Sequence, residues 1–299
     1  MAVTQTQILE LERGLPGPNR IPNMLRLARR KYTGTISAVV IVVFIFTAAF
    51  APLLAPHDPL AVHTSVALKP PNTRFIMGTD ELGRDIFSRL IYGARVSLFV
   101  GFGSVAIGTV IGVVLGLTSA FFGGAFDLVS QRFIDALQAF PPLLLAMVMV
   151  TTLGPSVRNV ILAIAITGIA SRARVVRGTA LSLMQNPYVD AARVIGCSNL
   201  RIMMRYILPN AWAPIIVIST AALGVAIIVE SSLSFLGLGP PPPNPTWGSM
   251  LSGSARSSMS IAPWLALAPG FAITLVVLSF NLLGDTLRDI LDPRLRGGR

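Results

Sequence analysis

Long windows free of Asp, Glu, Lys and Arg divide the chain, at 32–57, 96–126, 136–157, 206–229 and 257–284, with a shorter one at 159–171. A helix needs about 20 mostly apolar residues, at about 1.5 Å rise each, to cross a hydrocarbon layer about 30 Å thick. Five windows reach that length. The sixth does so if Arg158, Arg172 and Arg174 extend their charged ends toward headgroups, as long basic side chains do. The pattern predicts an all-α polytopic membrane protein whose six transmembrane helices lie near 36–55, 93–119, 136–153, 157–176, 210–232 and 263–284. Gly108, Gly112 and Gly116 repeat every four residues along the second of these, a spacing that brings two helices close. Pro141 and Pro142 open the third.

Composition agrees. Of 299 residues, 53% are hydrophobic and only 12% charged, against about 25% charged in a soluble domain. The net charge of +11 raises the question of nucleic acid, but no run mixes basic and aromatic residues, so none is expected. Positive charge instead sets orientation. With six spans both termini share a side, and 17 of the 24 Lys and Arg fall there, including Arg26, Arg29, Arg30, Lys31 and Arg193. That side is predicted to be cytoplasmic. The expected organisation is a cytoplasmic segment 1–35, a membrane domain 36–284 with external loops 56–92 and 233–262, a cytoplasmic loop 177–209, and a tail 285–299. The first span is expected to be retained, because no signal-peptide pattern precedes it. Trp247 and Trp264 are expected at the outer interface, and the run "GLGPPPPNPTWGSM" in extended polyproline geometry.

The cytoplasmic loop is longer than chain reversal requires. Asn186 is a plausible N-cap with Pro187 at the first helical position, and Asp190 can pair with Arg193. Gly196 marks a stop and Ser198 a second cap. Leu200, Met203, Met204 and Ile207 then fall on one helical stripe, after which Pro209 opens the next span. Two short helices of this kind fit a groove-docking surface or a helix lying on lipid. The pattern alone leaves both open.

Other chemistry is sparse. The only histidines, His57 and His63, sit in an external loop, where with Asp58 they read as a solvated pair rather than a metal site. Cys197 is alone, with no His near it for nucleophilic catalysis. A phosphate-binding loop ends in Gly-Lys-Ser/Thr, and neither Lys31 nor Lys69 follows a glycine. Glu230 is the one carboxylate joined to a long apolar window, placed near the outer end of its span. It reads as a hydrogen-bond partner within "SSLSF" or a neighbouring helix, or as a gate or pathway residue. Asp80, Glu81, Arg84, Asp85 and Arg89 mark a folded outer platform in which Asp85 and Arg89 are spaced to pair.

Asp190-Ala191-Ala192, then Gly196, then Leu208-Pro209 resembles the EAA loop of membrane subunits of bacterial binding-protein-dependent ABC importers. Asp stands for the commoner Glu, and Tyr206 where a His is often found. The segments 77–98, 230–251 and 281–296 are similar to dipeptide/oligopeptide permeases of the C-subunit kind. The resemblance implies a type I importer permease fold in the bacterial cytoplasmic membrane, with coupling helices between spans 4 and 5. It implies pairing with a second homologous permease subunit, two ATP-binding subunits holding ATP and Mg, and an extracytoplasmic substrate-binding protein. No cofactor is expected in this chain. Asp190, Ala191, Ala192, Arg193, Gly196, Leu200, Met203, Leu208 and Pro209 would form the ATPase-coupling surface, and Asp80, Arg84 and Asp85 would be docking candidates for the binding protein. Nickel chelates, glutathione or another small solute are alternative cargoes. A proton-coupled secondary transporter using Glu230 is a distant alternative; it calls for internal repeats, and none is evident.

Overall fold

The structure, a computed structural model, describes residues 32–252, 258 and 260–291. The described residues form helices and turns, with no strand beyond one isolated bridge between Thr79 and Asp85. In chain order the helices are α1 (Tyr32–Ala49), α2 (Ala51–Leu54), α3 (Ile86–Phe122), α4 (Gly124–Ala139), α5 (Pro142–Leu153), α6 (Val157–Met184), α7 (Pro187–Val194), α8 (Asn199–Ile202), α9 (Leu208–Phe235), α10 (Trp247–Leu251) and α11 (Trp264–Leu291). Five helices are long and apolar enough to cross a membrane, or six if α4 and α5 count as one bent span.

The expected third span differs most. Residues 136–139 belong to α4, which meets α5 at 89°. Pro141 has extended geometry and Pro142 occupies the first turn of α5. Neither has an N–H to continue a helix, so the chain turns there. What remains, α5, has 12 residues and rises only about 18 Å. The fourth span runs on to Met184, so the loop expected from residue 177 starts later. Expectations for 1–31 and 292–299 and for Arg256 lie outside the described residues.

α3 and α6 form the most extensive helix pair, and the glycine repeat is the reason. A Cβ built on Gly116 would sit 2.4 Å from the Ala173 carbonyl oxygen, and one on Gly108 2.8 Å from that of Ala165. Only a missing side chain lets the backbones approach this closely, so the repeat is packing, as the spacing predicts. A large core joins α1, α3, α5, α6, α9 and α11 and includes Trp247. A second core, at the α7–α8 end, unites Leu117, Val176, Val189, Ala192, Ile202, Met203 and Ile207. α4 is tied to α6 by Arg177, whose guanidinium donates two bonds of 2.7 and 2.6 Å to Asp127, and by Arg174, which reaches Asp135 at 2.8 Å.

Arg172 does not reach for headgroups. It is turned inward and 5% exposed, whereas Arg158 is exposed. Trp247 and Trp264 are also turned inward. Trp247 is fully buried, donates from Nε1 to the Leu90 carbonyl at 3.0 Å and meets Phe44 edge-on; Trp264 donates to the Thr79 carbonyl at 3.4 Å. The proline run holds a turn at 242–243 instead of continuous extended polyproline geometry, with Gly239, Pro240 and Pro245 buried and 241–244 exposed.

Candidate functional site

Three places gather the sequence-predicted residues, and the α7–α8 loop is the first. α7 ends in a Schellman motif: the Cys197 N–H donates to the Ala192 carbonyl and the Gly196 N–H to that of Arg193, both at 3.0 Å. Gly196 takes φ +80°, a left-handed conformation that a side chain makes costly. Ser198 accepts from the Arg201 N–H, and Arg193 lies 3.3 Å from Asp190, as the spacing predicts. Asn186 holds the N-cap position of α7, yet its amide donates back to the carbonyls of Ser182 and Leu183, finishing α6 instead.

The expected stripe is divided. Met203 and Ile207 are buried, while Leu200 and Met204 are exposed. Residues Met203–Ile207 form a π turn, in which the Leu208 N–H bonds the Met203 carbonyl five residues back. The wider turn shifts each side chain off the 3.6-residue register. It also relieves the clash that the Pro209 ring would otherwise make with the carbonyl four residues before it. Helix therefore continues unbroken from Asn199 to Phe235, with Pro209 in the first turn of α9 as expected. Val189, Ala192 and Met203 anchor the loop to the bundle; Asp190, Ala191, Arg193, Gly196, Leu200 and Pro209 are exposed, and Leu208 is half-buried. The sequence reading missed Val194, 87% exposed, and Ile195 beside it. Both precede Gly196 at the close of α7, where no bundle helix covers them.

The second place is Glu230, fully buried near the end of α9. Its carboxylate accepts from Ser234 Oγ at 2.7 Å and Ser231 Oγ at 3.4 Å, with the side chains of Ser97 on α3 and Thr246 before α10 close to it. The group therefore joins three elements, as the "SSLSF" reading anticipates. Glu230→Ala is expected to destabilise the fold by about 1–3 kcal/mol, because the hydroxyls lose their acceptor in a buried setting. Glu230→Gln, which keeps an acceptor, should lose less. Thermal unfolding of the detergent-solubilised variants checks the order.

The third place is the platform between α2 and α3. Asp85 caps α3, accepting from the Ser88 N–H at 3.1 Å and Ser88 Oγ at 2.6 Å, with His57 Nδ1 3.3 Å away. It does not pair with Arg89. An N-cap residue lies outside the helical register, so the i,i+4 rule fails there. Asp80 takes both arginines instead, Arg84 Nε at 2.6 Å and Arg89 Nε at 3.6 Å. Asp80 and Asp85 are buried and Arg84 is half-buried, so these docking candidates hold the platform together from within. His57 serves that platform rather than a solvated pair. Among the described residues no cluster of His, Cys, Asp or Glu could hold a metal.

Residues 108–297 match the family model described as the binding-protein-dependent transport system inner membrane component, and 23–71 match the N-terminal membrane domain of oligopeptide transport permease C. The chain is 44% identical, over 87% of its length and 86% of the relative's, to the dipeptide transport system permease protein DppC of Alkalihalophilus pseudofirmus. It is 42% identical to a putative peptide transport system permease protein of Brucella suis and 45% identical to the glutathione transport system permease protein GsiD of Escherichia coli, covering 91% of this chain and 90% of each relative. The chain belongs to the binding-protein-dependent transport system inner membrane components, the multi-pass permeases of ABC importers.

Proposed function

We propose that this chain is the C-type permease subunit of a peptide importer, with ATP bound and hydrolysed entirely by partner chains. The observation that carries the reading is the α7–α8 loop. Its inner residues are fixed in a core of their own, while Val194, Ile195 and Leu200 stand exposed beside the Asp190–Arg193 pair. An apolar patch with a charged rim on a rigid two-helix mount suits docking into a groove better than free solvent.

On this reading the loop and both termini face the cytoplasm, as the distribution of Lys and Arg supports. Two ATPase subunits grip this loop and its counterpart on a second, homologous permease. An extracytoplasmic binding protein delivers cargo to the platform held by Asp80, Arg84 and Asp85. The absence of a Gly-Lys-Ser/Thr segment supports an external source of energy. The cargo class follows the relatives, whose names give dipeptides, peptides and glutathione.

Purifying the tagged chain from native membranes tests the reading. Co-purification of two ATPase chains and a second permease, with ATP-dependent peptide uptake after reconstitution, is expected. Uptake into liposomes holding this chain alone would overturn it. Glu230 retains its gate reading only if Glu230→Gln alters uptake or ATPase stimulation in that assembly.

A further inference from the structure

A cavity of about 340 Å³ lies between α5, α6, α9 and α11, within the range of about 300–1,000 Å³ typical of small-ligand sites. Its walls are mainly aliphatic, from Ile164, Ala222 and Val229 among others, with Thr167, Ser171, Asn281 and Arg172 as the polar members. Among the described residues no acidic one lines it. Arg172 is 5% exposed, and its Nε and Nη1 have no hydrogen-bond partner among the described residues. Arg172 lies about 22 Å along α6 from Val157 by helical rise, so the charge is deep within the bundle.

The space around the guanidinium depends on glycine. A Cβ on Gly168 would stand 2.0 Å from Nη1, and one on Gly108 2.7 Å from it. Two helices therefore give up side chains at the points where the charged group rests. An unpaired buried cation is strongly unfavourable, and a carboxylate brought into the cavity that Arg172 lines would offset its charge.

We propose that Arg172 is the anion-binding group of a solute site within the membrane domain and receives a carboxylate of the transported molecule. The proposal rests on the permease reading and adds the cargo's chemistry: a small solute with a free carboxylate and an aliphatic body that fits the cavity walls. An acid of the facing permease subunit is the other source of a carboxylate, and the test separates the two.

The assembled complex, with its binding protein and ATPases, is placed in proteoliposomes. Uptake of labelled dialanine, dialanine amide and glutathione is measured for wild type, Arg172→Gln and Arg172→Lys. The carboxylate-bearing probes are expected to lose roughly tenfold or more in Arg172→Gln, the scale of one lost charge-assisted hydrogen bond, and less in Arg172→Lys. If wild type moves none of the probes, the peptide reading fails, and a second measurement still decides the role of Arg172. Phenylglyoxal labelling of Arg172 is followed by mass spectrometry with millimolar N-acetylalanine or its amide. Protection by the acid and not the amide is expected. Equal protection by both, protection by neither, or wild-type uptake in Arg172→Gln overturns the proposal. So does an Arg172 labelled in the isolated chain but inert in the complex, which assigns it to the facing subunit, or one inert in both, which closes the cavity to solutes.

Discussion

Gly116→Val is expected to leave no stable membrane domain. A Cβ at this position would meet the Ala173 carbonyl oxygen at 2.4 Å and the Arg177 nitrogen at 3.0 Å. Both are backbone atoms of α6, so no side chain can swing away to relieve the contact. Overpacking a core costs about 1–3 kcal/mol where neighbours can adjust, and here an entire helix must shift. The shift would also reach the Arg177–Asp127 pair that ties α4 to α6. Gly178→Ala is the control, since nothing lies within 4 Å of a Cβ there. It should be neutral or stabilising by up to about 1 kcal/mol through helix propensity. Unfolding midpoints of the two purified variants decide the matter. A Gly116→Val protein as stable as wild type would show that α3 and α6 do not pack closely in the native membrane domain.

Gly196→Pro is expected to abolish transport while leaving the bundle folded. The substitution forces φ from +80° toward about −65° and removes the N–H that closes the turn on Arg193. Nothing lies within 4 Å of a Cβ at Gly196, so the damage comes from the backbone alone. α7 would lose its stop, and Val194, Ile195 and Leu200 would no longer share one surface. On the proposed coupling role, ATP hydrolysis and uptake then separate. Gly196→Ala, which meets only the left-handed strain of about 1–2 kcal/mol, should retain part of the uptake. Normal uptake by the proline variant would remove the loop from the coupling path.

How far these features were legible depends on their range along the chain. The Schellman turn at Gly196, the Ser198 cap and the packing role of Gly108, Gly112 and Gly116 are set by neighbours within a few residues, and the sequence carries them. The break at Pro141–Pro142 was equally local, but a charge-free window hid it by running across both helices. The stripe through Leu200 and Met204 failed because a π turn changes the period on which it was drawn. Asp80 with Arg89, Trp247 with Leu90, and Glu230 with Ser97 and Thr246 join segments whose pairing only the tertiary fold decides. Arg172 reads from sequence as extending toward headgroups because it stands with Arg174 at the rim of an apolar window. The run of helix on to Met184 makes it an interior residue instead.

The unbroken helix from Asn199 to Phe235 has 37 residues and measures about 55 Å, nearly twice the hydrocarbon thickness. It starts in the exposed loop and ends beside the Glu230 knot, so one rigid rod connects both faces of the bundle. Pro209 and Pro214 fall in its first two turns beyond the π segment, where missing N–H bonds make bending cheapest. A tilt of about 5° about that end would carry the far end roughly 3 Å, given the helical rise. On the proposed coupling role, a pull on the loop arrives at the opposite face as leverage, with no relay of side chains in between.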